Sequence, residues 1–128
     1  MSYYYNKTVV GEFDQVIEKV TAELKNEGFG VLTEIDFSGT VKKKLDKDMP
    51  AYRVLGACNP GFAYKAYQSE DKIGTMLPCN VIVQDAGNGN IEVSAVNPIA
   101  SMMGVGNDSL GEVAGEVKDK LERVIDAL

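Results

Sequence analysis

The chain of 128 residues contains no histidine and no tryptophan, and it has only two cysteines. The missing histidine excludes the most. Without it there is no Ser-His-Asp or Cys-His nucleophile pair, no neutral imidazole ligand for a metal and no imidazole pH switch. Any chemistry must come from Cys, Asp, Glu, Lys, Arg or Tyr. Two cysteines make no disulfide framework, and a chain of this length buries a sufficient core without one, so reduced thiols are expected. No apolar run approaches the ~20 residues of a membrane-spanning helix. The opening Met1-Ser2-Tyr3-Tyr4-Tyr5-Asn6-Lys7 lacks the basic start and apolar stretch of a signal peptide, and a cytoplasmic protein is expected. Basic residues are also scarce, 13 Lys and Arg against 19 Asp and Glu, for a net charge of −6. That balance argues against nucleic acid and against an anionic membrane surface as partners, since both are held through many Lys and Arg contacts.

What the chain does have is clear periodicity. Tyr3 to Val10 is aromatic and β-branched and reads as a strand ended by Gly11. Phe13, Val16, Ile17, Val20 and Leu24 form one helical stripe, with Gly28 as its left-handed cap. Val31, Thr33, Ile35 and Phe37 alternate with Leu32, Glu34 and Asp36 as a second strand. Val41 to Leu45 reads as a short helical turn broken by Pro50, and a third strand follows from Ala51 to Ala57. Asn59-Pro60 opens a short helix to Gln68, because Asn caps well and Pro suits the first helical position. A fourth strand, Met76 to Gln84, is joined to a fifth, Ile91 to Ala95, by the turn Gly87-Asn88-Gly89-Asn90. Asn97-Pro98 repeats the cap-and-proline signature through Met103, and Leu110 to Leu128 is a long amphipathic helix capped by Asn107 or Asp108.

No repeat or linker divides the chain, so residues 1–128 are expected to form one domain. The order predicts an α+β two-layer sandwich: a five-stranded, largely antiparallel sheet with two long helices on one face and a short helix between the third and fourth strands. Several strands carry apolar residues in both alternating sets, for example Val81 and Val83 against Ile82, so part of the second face should be covered. A homodimer is the simplest cover.

The run Tyr52-Arg53-Val54-Leu55-Gly56-Ala57-Cys58-Asn59-Pro60, followed by Ala63, Gly74 and Leu77-Pro78-Cys79-Asn80-Val81, resembles the domain-of-unknown-function 302 family (DUF302), and Val96-Asn97-Pro98 with Met102 looks like that family's closing motif. The resemblance spans nearly the whole chain. It implies a β-α-β4-α fold of the TATA-binding-protein-like type and a homodimer, and it supplies no activity. Asn97 stands where the family's pattern leads one to expect an acidic residue, which weakens any carboxylate role there.

The two Cys-Asn motifs define the candidate site: Cys58, Asn59, Pro60, Pro78, Cys79 and Asn80. Cys58 precedes a helix start, where free N–H groups and the helix dipole favour a thiolate. If the third and fourth strands are antiparallel neighbours, Cys79 lies beside it. Against this stands the plainer reading that both thiols are small buried residues filling a junction. Four zinc ligands cannot be found in one chain, and no metal or cofactor is expected. The pairs Asp85 with Glu92 and Glu34 with Asp36, the lysines at 42–44, and Gly104-Val105-Gly106 are weaker signals, each read as solvated or structural. Three functions remain open: a homodimer binding a small molecule or ion near the Cys-Asn motifs, a non-catalytic protein-interaction module, and a thiol-redox protein using Cys58 and Cys79.

Overall fold

A computed structural model describes residues 2–128. Five strands, β1 (Tyr4–Val10), β2 (Gly30–Asp36), β3 (Tyr52–Cys58), β4 (Cys79–Gly87) and β5 (Asn90–Val96), form one sheet in the order β1-β5-β4-β3-β2. Every neighbouring pair is antiparallel. Five helices complete the domain: α1 (Phe13–Asn26), α2 (Phe37–Leu45), α3 (Pro60–Ser69), α4 (Pro98–Met102) and α5 (Gly111–Asp126). The crossover through α1 carries the chain from one edge strand, β1, to the other, β2.

The core lies between the sheet and the helix pair α1–α5. Val16, Ile17, Val20 and Leu24 of α1 and Val117, Leu121, Val124 and Ile125 of α5 are buried against Leu55, Val81, Val83, Ile91 and Val93. Those strand residues are alternate positions, so one face of the sheet is committed to the helices and the other is left without them. A Schellman motif ends α1: Gly28 has φ +86°, its N–H donates to the Lys25 carbonyl, and Phe29 N–H donates to the Leu24 carbonyl. Phe29 then enters the same core as Leu24.

Two elements differ in extent from the expectation. The helical turn at Val41 is the end of a nine-residue helix that begins at Phe37. Asp36 caps it, its carboxylate accepting from Gly39 N–H at 3.0 Å, and this pulls Phe37 out of β2. Of the expected fourth strand, Met76 instead closes a 3₁₀ turn, Ile73–Met76, and β4 begins at Cys79. Asn97 acts as the expected cap, its side-chain oxygen accepting from Ile99 N–H while its amide donates to the Ser2 carbonyl. Asn107 caps a 3₁₀ turn, Asp108–Leu110, that leads into α5.

On the helix-free face, Gly56 is where β3 passes under two side chains. A Cβ there would meet the Thr33 hydroxyl and lie 2.8 Å from Pro78 Cγ. Gly56→Ala is therefore expected to cost about 1–3 kcal/mol by overpacking. Leu121→Ala, which opens a hole between α5 and the sheet, should cost about 2–5 kcal/mol. Urea denaturation of the two variants beside the parent checks both.

Candidate functional site

The register of β3, β4 and β5 decides where each motif residue goes. Ala57 pairs with Cys79 and Gly56 with Asn80. Successive side chains on a strand point to opposite faces, so Cys79 enters the helix side of the sheet and Asn80 the open side. The motif that is contiguous in sequence is split by the sheet.

On the helix side, Cys58, Asn59 and Cys79 line one small cavity with Phe29, Phe62 and Val117. Its volume is about 20 Å³, room for roughly one water molecule, and its walls are mostly apolar. The two thiols share this space and both are free. Burial pushes the Cys58 thiol up, against the expectation that a helix start would lower it. Desolvation in an apolar pocket opposes the charged form. Cys79 is pushed up to about 11, by burial first and by neighbouring Cys58 second. Asn59 stands at the cap position of α3, but its side chain makes no cap hydrogen bond and donates instead to the Glu27 carbonyl at 3.4 Å. Pro60 is the exposed first residue of α3.

On the open side the ladder sets residues in three rows. Tyr4 pairs with Val96, and Asn80 with Gly56, which pairs on with Thr33. The next row is Asn6, Ser94, Ile82, Val54 and Ile35, and the third is Thr8, Glu92, Gln84 and Tyr52. A hollow of about 440 Å³ lies over the middle of this array, walled by Tyr3, Tyr4, Tyr52, Asn80, Gln84 and Glu92, with Ile82, Ser94 and Val96 in its floor. Its size falls in the range of ~300–1,000 Å³ usual for small-ligand sites, and it has their composition, apolar and aromatic walls with a few polar groups. Of the six sequence candidates only Asn80 lines it. Pro78 lies beside it over Gly56. The signal for the rest was the period-two set Asn80, Ile82, Gln84 in β4 opposite Glu92, Ser94, Val96 in β5, which carries amides, a hydroxyl and a carboxylate on one face.

The carboxylate pairs come apart. Asp85 pairs with Ile91 and Glu92 with Gln84, so the two acids sit on opposite faces. Glu34 is held by Arg53 and Asp36 is spent on capping α2. Lys42 is bridged by Asp46 and Asp48. Among the described residues no group of three or more Cys, Asp or Glu side chains is placed to hold a metal ion, and no helix is long and apolar enough to cross a membrane.

These features define a two-layer α+β domain with a helix-covered core face and an open, hollowed sheet face. The family model for the domain of unknown function DUF302 matches residues 5–128, and the chain belongs to that family. It is similar to the crystal structure of an uncharacterized conserved DUF302 protein from Bacillus stearothermophilus, at 25% identity and TM-score 0.91 over 98% of each chain. No curated protein matches the sequence.

The raised Cys79 pKa makes a pH prediction. Folded Cys79 keeps its proton up to about 11, whereas the unfolded thiol releases it near its ordinary 9.0. The folded state then binds more protons, so the stability from this thiol is complete below pH 9 and is lost as pH rises through 11, by about 2 kcal/mol. Urea midpoints at pH 8 and pH 11 should fall further for the parent than for Cys79→Ala.

Proposed function

We propose that this protein binds a small molecule in the hollow on the open face of its sheet, without catalysing a reaction, and works as a homodimer. The observation that supports the site is the aromatic-walled hollow of about 440 Å³ to which Asn80 contributes. On this reading Cys58 and Cys79 fill the junction of α3, α5 and the sheet. The cavity between them is too small for an organic ligand, and their raised pKa values disfavour the thiolate that redox exchange needs. The two free thiols fit a reducing compartment such as the cytoplasm.

The homodimer draws on a separate observation. At the β2–α2 end of the open face Ile35 and Phe37 are 50% and 43% exposed. An apolar group of this kind marks an interaction surface, and a two-fold dimer is its commonest use. This patch adjoins the hollow, since the Phe37 ring packs edge-on against Tyr52, 5.2 Å between centroids, so a dimer formed there would border the ligand site.

Both parts are testable. Backbone amide NMR titrations with small aromatic fragments should shift Asn80, Ile82, Gln84 and Ser94. A fragment set that moves Cys58, Phe62 and Val117 instead transfers the site to the thiol cavity and defeats the proposal. Light scattering behind size exclusion should give a dimer for the parent and a monomer for Ile35→Glu; a parent monomer at ~50 μM, where even a micromolar complex persists, removes the homodimer.

A further inference from the structure

The charge pattern of the sheet gives the ligand a chemical class. The strands carry two basic residues, Lys7 and Arg53. Both belong to the helix side. Lys7 Nζ donates to the Asp126 and Leu128 carbonyls, and Arg53, whose Cα neighbour in the ladder is the buried Val83, pairs with Glu34 at 2.6 Å. The acids Glu34, Asp36 and Asp85 share that side by their register with Leu55, Arg53 and Ile91. Glu92 is left as the one charged strand residue on the open side. It lines the hollow, and it takes part in none of the ion pairs among the described residues.

We propose that the hollow takes a small organic cation, a primary or substituted ammonium with an apolar or aromatic body, its charge held by Glu92. This rests on the reading of the hollow as a ligand site. A carboxylate that no ion pair engages attracts a positive group and repels an anion, and a partly desolvated charge-assisted hydrogen bond is stronger than a neutral one. The amide oxygen of Gln84, directly across the ladder from Glu92, supplies a second acceptor for ammonium N–H groups. Tyr52 stands next along the same row, two strand spacings or about 10 Å from Glu92. Tyrosine rings favour cations over their faces, and Ile82 in the floor meets an apolar body. The net charge of −6 adds long-range attraction of the same sign.

Three probes of nearly equal size separate the terms: 2-phenylethylammonium, 2-phenylethanol and phenylacetate, each titrated at pH 7 into the parent and into Glu92→Gln with amide NMR as the readout. The ammonium is expected to bind the parent about tenfold more tightly than the alcohol, with phenylacetate weaker still, and Glu92→Gln should lose that factor for the ammonium while leaving the alcohol within about twofold. Equal binding of all three probes at the hollow, or a preference unchanged in Glu92→Gln, overturns the cation assignment and leaves the hollow as a ligand site. Binding by none of them, with hollow resonances that shift on dilution of the protein, puts a second copy in the hollow and overturns both.

Discussion

Burial of one face of the sheet against α1 and α5 is the constraint on which the rest depends. Leu55, Val81, Val83, Ile91 and Val93 form the wall of the core. Once those positions face the helices, the residues between them in β4 and β5 must face away, because successive side chains of a strand alternate. A slip of one residue would bury Asn80, Gln84 and Glu92 and expose the valines, at a cost far beyond the few kcal/mol by which a domain of this size is stable. The same packing that makes the fold therefore decides which polar groups can meet a ligand. It also separates Cys79 from Asn80, neighbours in sequence that serve opposite surfaces.

The elements with strong periodicity were legible from the sequence. The stripes of α1 and α5, the alternation in β5, the Gly28 cap and the Asn97 cap are each local signals, and each has its structural counterpart. The limits of β2 and β4 were not. Asp36 was expected as a residue of the second strand, and its hydrogen bond from Gly39 N–H makes it the cap of α2 instead. Met76 was expected to open β4, yet it closes a 3₁₀ turn whose Ile73 is buried in a satellite cluster with Ala66 and Leu110, a contact that depends on where α3 and the turn leading into α5 come to lie. Strand order is likewise non-local. The pairing of β1 with β5 joins the two ends of the strand sequence, and nothing within either segment specifies it.

The candidate site was legible in part, for the same reason. Proximity of Cys58 and Cys79 follows once β3 and β4 are antiparallel neighbours, and they do line one cavity. The space left between them depends on Phe29, Phe62 and Val117, which arrive from three other segments. At the start of α3 burial among these side chains pushes the Cys58 thiol up, because desolvation opposes the charged form. The open-face residues form a period-two pattern but carry no motif, whereas the cysteines stand out in sequence because they are rare and the amides and tyrosines are not.

The two faces also differ in how they hold charge. On the helix side each strand cation has an oxygen partner, Lys7 at the carbonyls ending α5 and Arg53 at Glu34, and the guanidinium lies over the Phe13 ring. Charges placed beside a core are costly unless paired or hydrogen-bonded, which accounts for these partners. The open side faces water, where an unpaired carboxylate costs little, so the fold places no demand on Glu92 to have a partner or even to be acidic. Glu92 is therefore a charge that no ion pair among the described residues holds, standing across the ladder from the Gln84 amide on the face without helices.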